Sequence, residues 1–362
     1  MKGNDDVTVL YANVFFVFVF SLLARFLAEP DSLSPATVKP NKYFAGLAAS
    51  SLVLVAGLRS NIGDTYYYIH SYVTNEYTWE EIDFTGDFGF NLLQMVLQQI
   101  SRDPQLLLFI TAFLTNVLIT MTLYHYSRLF EISMYVYITL GFFLVSMNGI
   151  RQYLAAAILF AATTYIIQGA WKRYFVIVLV ASTIHQTALI MIPVYFIVRS
   201  PAWSKMTIVL ILGSVALVIG FNHFMDILFR VIEDTQYGGY EDFQEGGANS
   251  LRVLVAAAPI LLAYIGRERL QELFPKSDVI VNMALISLLF MLISTQNWIF
   301  ARFSIYFGLY QLILVSWVVK VFAQKDQRLI YFGIVICYFI YFIYEHVVTL
   351  DIIYHSPYLP FK

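Results

Sequence analysis

Charged residues are scarce in this 362-residue chain. Asp, Glu, Lys and Arg together make up 13% of the sequence, whereas 59% is hydrophobic and the mean hydropathy is +0.70. A soluble chain of this length would need far more charged surface. The net charge of −2 gives no basic surface of the kind that binds nucleic acid. We therefore exclude a soluble protein and expect no nucleic-acid partner.

Several motifs of metal and cofactor chemistry are also missing. The one cysteine, Cys337, cannot form a metal-binding pair, and the apolar blocks contain no His-x-x-x-His spacing and no tight cluster of carboxylates. The sequence has neither a Gly-rich phosphate loop nor a Gly-x-Ser-x-Gly elbow. We therefore expect no metal ion and no cofactor.

Roughly eleven apolar blocks, separated by short polar segments, fill most of the chain. Several of them could cross a hydrocarbon core of about 30 Å as helices; they include 11–28, 105–124, 132–147, 174–198 and 279–298. The runs are continuous, whereas a transmembrane barrel would alternate. We predict an all-α integral membrane protein, one polytopic domain over 1–362, with no soluble domain. The first block lacks a small-residue cleavage site, so we expect a retained span.

The distribution of Lys and Arg predicts the topology, because these residues favour cytoplasmic loops. Segments 59–104 and 225–250 are acidic and should be outer loops. The basic residues that flank block 174–198, Lys172 and Lys205, share the cytoplasmic side only if that block enters and leaves the membrane on one face. A single span there would instead move every later loop to the other side.

A polar centre in block 174–198 favours the first alternative. A straight, lipid-facing helix would not tolerate the sequence from Ser182 to Thr187, but the apex of a broken re-entrant hairpin could. We therefore predict about 10 transmembrane helices, five before and five after a hairpin around His185, with both termini outside. Within 59–104, the spacing of apolar residues predicts an amphipathic surface helix at Phe88–Ile100.

Three arginines stand at the predicted outer ends of spans, where the charge rule disfavours them: Arg59, Arg151 and Arg302. Such positions require a carboxylate partner or an anionic ligand, and guanidinium groups suit phosphate oxygens. The alternative is that Arg59 pairs with Asp64 or Asp87 while the other two extend to lipid headgroups.

His185 and Asp64 are the candidates for proton transfer. An intramembrane imidazole titrates near neutrality and could accept a proton from an alcohol, although a buried histidine can also be purely structural. Asp64 precedes three tyrosines, 66–68, and aromatic rings with a carboxylate are groups that sugars typically contact. The alternative for the tyrosines is an interfacial aromatic belt.

Five segments, taken in order, resemble the EpsG family of Wzy-type bacterial exopolysaccharide polymerases. They are Leu58-Arg59 with Gly63-Asp64-Thr65 and Tyr68, then 87–93, then Gly149-Ile150-Arg151-Gln152 with Ala155-Ala156, then 185–189, and Arg302-Phe303 with Tyr306-Phe307. Members of that family commonly have Glu where this chain has Asp87, so the carboxylate here is shorter.

The resemblance implies glycosyl transfer between polyprenyl-diphosphate-linked oligosaccharides at the outer face of the bacterial cytoplasmic membrane, for a biofilm polysaccharide. A growing chain would move from its lipid carrier to the next repeat unit. It also implies partners: the lipid bilayer, a flippase and a chain-length regulator of the same pathway. The implied roles are catalysis by His185 or Asp64, diphosphate binding by Arg59, Arg151 and Arg302, and substrate binding by Tyr68, Asp87, Gln152 and Tyr306.

Other classes of function stay open at this stage. A transporter or channel could use the hairpin and the arginines to bind an anionic solute. The chain could also be a non-catalytic subunit of a polysaccharide secretion complex, or an integral-membrane acyltransferase that uses His185.

Overall fold

The computed structural model describes residues 5–31, 35–84, 86–232 and 246–358. The first half contains α1 (Asp5–Phe26), β1 (Glu29–Pro30), β2 (Val38–Lys39), α2 (Lys42–Gly57), α3 (Thr65–Thr74), α4 (Phe88–Ile100), α5 (Pro104–Tyr126), α6 (Phe130–Thr139), α7 (Phe142–Asn148), α8 (Ile150–Ala161) and α9 (Thr163–Gln168). The second half contains α10 (Trp171–Ile184), α11 (Met191–Val198), α12 (Lys205–Ile219), α13 (Phe221–Ile232), α14 (Ser250–Ile265), α15 (Arg267–Leu273), α16 (Ser277–Ile293), α17 (Ile299–Val321) and α18 (Gln324–Phe342). Apart from one short antiparallel ribbon of β1 and β2, the predicted helical class is confirmed.

Four helices of the described ranges are long and apolar enough to cross a membrane: Val7–Phe26, Pro104–Tyr126, Ile299–Val321 and Gln324–Thr349. The number becomes six if the two bent pairs, α6 with α7 and α14 with α15, each count as one span. Several further apolar helices, such as α2 and α16, are shorter than 18 residues. The chain is thus a helical membrane protein, and ten crossings stay a prediction.

Side-chain caps explain where several helices begin. Asn41 accepts hydrogen bonds from the backbone N–H groups of Tyr43 and Phe44 at the start of α2. Asp103 caps α5 in the same way, and Pro104 occupies its first turn, where no N–H is needed. These caps satisfy N–H groups that would otherwise lack partners at the helix ends.

Gly141 separates α6 from α7. Its φ of +92° lies in the left-handed region, which glycine adopts without steric cost, and the two helices meet at 53°. A Cβ atom at this position would lie 2.3 Å from the His346 ring. Glycine therefore permits both the bend and the close approach of the His346 side chain.

The chain reverses direction around His185, and a re-entrant position of this segment in the membrane stays a prediction. Helix α10 ends at Ile184, His185 is extended, and a 3₁₀ turn at Gln186–Ile190 leads into α11. The two limbs contact each other, since the rings of Tyr174 and Tyr195 stack with centroids 5.5 Å apart. Gly169, two residues before α10, also lies against the Arg199 guanidinium just after α11. The chain therefore enters and leaves the hairpin at the same end of the bundle.

Helix α17 lies at the centre of the bundle and defines its two ends. At the end with the bases of the hairpin, Trp317 donates to the Tyr126 carbonyl, and Arg25 pairs with buried Glu131 at 3.0 Å. At the end with the hairpin apex, α17 begins near Arg302. We call this second end the apex end.

The predicted outer segments are only partly loops. Segment 59–104 contains α3 and α4, and α4 has the predicted bounds Phe88–Ile100. The predicted loop 225–250 begins inside α13, which continues to Ile232. Residues 233–245 of that loop lie outside the described residues.

We expect Lys172 and Lys205 to face the same compartment, because they flank the two bases of the hairpin. Both are exposed, so cysteine in either place should react alike in a background that carries Cys337→Ser. By the charge rule, an impermeant thiol reagent added to intact cells should label Tyr66→Cys, at the apex end, but neither Lys172→Cys nor Lys205→Cys. Labelling of only one of the two lysine positions would contradict the hairpin topology.

Candidate active site

Asp87 joins the hairpin apex to two other parts of the bundle. Its Oδ2 atom lies 3.0 Å from His185 Nδ1 and 3.1 Å from Arg151 Nη1. Its Oδ1 atom accepts a hydrogen bond of 2.8 Å from the Gln186 backbone N–H. Asp87 immediately precedes α4 and Arg151 lies in the first turn of α8. One carboxylate therefore fixes α4, α8 and the hairpin apex relative to one another.

This contact determines which nitrogen of His185 is available for chemistry. An ionised carboxylate only accepts hydrogen bonds, so Nδ1 is the donor in the contact with Asp87. In the neutral imidazole, Nε2 then carries the lone pair. The side chain is 16% exposed and lines a cavity at the apex end. His185 thus has the arrangement of a general base whose tautomer is set by a neighbouring acid.

The cavity has a volume of about 690 Å³, which is within the usual range for small-molecule sites. It extends between α8, the hairpin apex, α17, α14 and the C-terminal segment. Six of the nine residues predicted for the site line it: Asp64, Tyr68, Arg151, Gln152, His185 and Arg302.

Two of the three predicted arginines reach this cavity. The Arg151 side chain is 42% exposed, and its guanidinium lies 6.0 Å from the centre of the Phe90 ring. Arg302 lies over the Trp298 ring at 4.9 Å. The backbone carbonyl of Arg302 accepts a 2.8 Å hydrogen bond from Gln152, so the start of α17 is tied to α8. The two cations therefore belong to one wall.

Arg59 is placed differently. It is 1% exposed, and its guanidinium donates to Thr65 Oγ1 at 3.0 Å, to the Met147 carbonyl at 2.7 Å and to the Ala56 carbonyl. Neither the predicted diphosphate contact nor the alternative pairing with Asp64 or Asp87 has support in this geometry. Arg59 instead holds the end of α2 against α3 and α7.

The loop that presents Asp64 is held from across the bundle. The backbone N–H of Asp64 donates to Asn148 Oδ1 at 2.8 Å. Ile62 and Gly63 both have positive φ, +80° and +53°, and a Cβ on Gly63 would lie 2.1 Å from Asn148 Oδ1. A β-branched residue rarely adopts such a φ, so the contacts around this loop impose its conformation.

The last two predicted residues lie behind the cavity wall. Asp87 contacts His185 and Arg151 and does not line the cavity. Its place is therefore that of a positioning residue, whereas the sequence predicted a contact with substrate. Tyr306 is 1% exposed, and its hydroxyl is 2.8 Å from Thr187 Oγ1, so it holds the 3₁₀ turn of the hairpin.

Several cavity residues were not predicted from the sequence, among them Arg252 and Asn148. Arg252 lines the cavity and pairs with buried Glu345, with Nε and Nη2 at 2.6 and 2.5 Å from Oε1. Arg252 lies at the end of an apolar block, and the same pattern made Arg59 a candidate. Asn148 has no comparable signal, since its role follows from a contact 84 residues away in sequence.

Among the described residues, no group of three or more His, Cys, Asp or Glu side chains is arranged to hold a metal ion.

Comparison with known proteins places the chain in a family. The sequence model of the EpsG family matches residues 42–362. This match covers most of the chain and confirms the resemblance, so the chain belongs to the EpsG family. Searches among curated proteins and among solved structures give no match. The family and the apolar helices identify a membrane protein related to exopolysaccharide.

We expect Asp87→Asn to lower stability at neutral pH. Burial raises the pKa of Asp87, but the His185 hydrogen bond, the Gln186 N–H and the Arg151 charge outweigh burial and hold it below its ordinary 3.8. A depressed carboxylate pKa stabilises the fold above the ordinary value, and the contribution is lost as pH falls through the native pKa.

The wild type should therefore exceed Asp87→Asn by about 1–3 kcal/mol at pH 7, and the two should converge below pH 3.8. Thermal unfolding of the purified proteins across pH 3–7 measures the difference. An Asn variant that is equally stable at every pH would show that the carboxylate charge does not hold the apex.

Proposed function

We propose that this protein is a membrane glycosyltransferase of the Wzy type that polymerises an exopolysaccharide. The observation that carries the proposal is that His185, with Nδ1 held by Asp87, lines one cavity with Arg151 and Arg302. A base beside two cations suits a reaction in which a hydroxyl attacks and a diphosphate leaves.

The proposed step joins two polyprenyl-diphosphate-linked saccharides. A hydroxyl of the acceptor sugar attacks the anomeric carbon of the donor chain, and a new C–O bond forms. The bond between that carbon and the diphosphate oxygen breaks, and polyprenyl diphosphate leaves with the electron pair. The hydroxyl proton passes to His185 Nε2. The growing chain has then moved from its carrier to the next repeat unit.

Arg151 and Arg302 would stabilise the charge that develops on the leaving diphosphate. A guanidinium binds two phosphate oxygens through parallel hydrogen bonds, and a cation held where charge develops lowers the barrier of the reaction. Arg151 also contacts Asp87, so the same residue that orients the base orients this cation. Asp64 and Tyr68, which line the same cavity, would bind sugar hydroxyls.

The membrane arrangement belongs to the same proposal. Ten crossings with the apex end outward would place the cavity at the outer face of the bacterial cytoplasmic membrane. There a flippase would deliver lipid-linked repeat units, and a chain-length regulator would act on the product. The basic segments at the bases of the hairpin would then face the cytoplasm, in agreement with the positive-inside rule.

We expect Arg151→Lys and Arg302→Lys to lose most of the polymerising activity. Lysine keeps the charge but loses the planar fork, so kcat/KM should fall by about 10- to 100-fold, which corresponds to 1.4–2.7 kcal/mol of transition-state stabilisation. The assay is chain extension by purified protein with synthetic polyprenyl-diphosphate oligosaccharide. The exposed Arg267→Lys serves as a control that should keep full activity. Wild-type rates in both cavity variants would refute the diphosphate role.

We expect His185→Ala to slow chain extension by about 10²–10⁴-fold while donor binding persists. His185→Gln should be nearly as slow, because an amide hydrogen-bonds but does not accept a proton at neutral pH.

Asp64 is the competing base, and it predicts the opposite pattern. If Asp64 accepts the proton, Asp64→Asn should be inactive while His185→Gln remains active. Normal extension by both variants, measured in the same purified assay, would rule out the mechanism as proposed.

A further inference from the structure

The cavity continues below the arginines toward the centre of the bundle. Along α17, Ala301, Ser304, Ile305 and Gln311 all line it, a spacing that places them on one helix face. Gln311 follows Arg302 by nine residues, which corresponds to ~14 Å along a helix axis. The cavity therefore reaches much deeper than a diphosphate held at its mouth requires.

The deep part is lined by four residues that we call the cavity floor: Phe142, Ser287, Gln311 and His346. Two glycines bring the floor together. A Cβ on Gly308 would lie 2.8 Å from the Phe142 ring and 3.6 Å from Ser287 Oγ, and a Cβ on Gly141 would touch the His346 ring. The floor is thus one cluster from four elements, α7, α16, α17 and the helical turn at Ile343–Thr349.

Gln311 is the residue that points to a ligand. It is 1% exposed, and within the described part of the chain its Oε1 atom has no hydrogen-bond partner. A buried acceptor left unpaired costs about 1–3 kcal/mol, whereas leucine there would cost nothing of this kind. Polar groups kept at the centre of a membrane bundle typically serve a ligand or a transport path.

The chemistry of the floor selects the class of ligand. Gln311 both accepts and donates hydrogen bonds, Ser287 has a hydroxyl, and His346 has a ring with two nitrogens, while Phe142 offers an aromatic face. A sugar ring matches this set, because its hydroxyl rim donates and accepts and its C–H face packs on an aromatic ring. A polyprenyl chain would leave every one of these polar groups unpaired.

We infer that the cavity floor is a saccharide subsite, which binds a sugar residue of the substrate chain beyond the one attached to the diphosphate. The inference rests on the proposed function, because that function gives the direction in which the substrate saccharide lies in the cavity. It assigns Gln311 a role in substrate affinity and none in bond breaking.

The test measures binding without turnover. The probe is the set of free oligosaccharides released by mild acid from the exopolysaccharide of the strain that carries the gene. Their affinity for the full-length protein in glycolipid-free nanodiscs is measured by calorimetry. Gln311→Leu should weaken binding by roughly 3- to 10-fold, and Gln311→Met should do the same.

Gln94→Leu is the matched control. Gln94 is 3% exposed on α4 and does not line the cavity, so the same substitution should leave oligosaccharide affinity unchanged. The ligand-free melting temperature of Gln311→Leu should stay level or rise, because an unpaired oxygen is removed. A purely structural glutamine would instead give a lower melting temperature.

The outcomes separate the two proposals. Unchanged affinity in both Gln311 variants would overturn the saccharide floor even if the protein extends chains. If the oligosaccharides bind through Gln311 but no chain is extended, the proposed polymerase reaction fails and the subsite stands. Binding of a polyprenyl phosphate without sugar that depends equally on Gln311 would also overturn the floor.

Discussion

The buried carboxylate of Asp87 is the interaction on which the apex end depends. Taking a charge out of water costs several kcal/mol unless other groups replace the lost hydration. Here His185, Gln186 and Arg151 supply three hydrogen bonds. They come from the hairpin and from α8, so the carboxylate is stable only when α4, α8 and the hairpin apex are in place together. The Asp87 carboxylate therefore fixes the orientation of both the His185 imidazole and the Arg151 guanidinium.

The same carboxylate also satisfies a backbone N–H group at the break between the two limbs of the hairpin. A helix that breaks leaves backbone N–H groups without intrahelical partners. At this break, the carboxylate accepts from the Gln186 backbone N–H, while Tyr306 pairs with Thr187 in the following turn. An irregular backbone is tolerated because protein side chains surround it. The polar sequence that allows the break is also the one that places His185 at the cavity.

Sequence reasoning found the features that depend on local pattern. Apolar runs predicted the helices, periodic spacing predicted α4 with its bounds, and the two basic flanks predicted a hairpin whose bases share one end. It could not find the contact of Arg59 with Met147 or that of Asp87 with His185, because these join residues 88 and 98 positions apart. The span count also stays undecided by pattern, since helices such as α2 and α8 are shorter than a full crossing.

Arg59 and Arg151 show why an arginine at the end of a span is an ambiguous signal. Both oppose the charge rule, but Arg59 is 1% exposed and bonded to backbone carbonyls, whereas Arg151 is 42% exposed and faces a cavity. The difference lies in the last residues of α7: the Met147 carbonyl accepts from Arg59, and the neighbouring Asn148 accepts from Asp64. By occupying those acceptors, Arg59 and Asp64 brace the turn that begins α8. The buried arginine therefore sets the position from which Arg151 reaches the cavity.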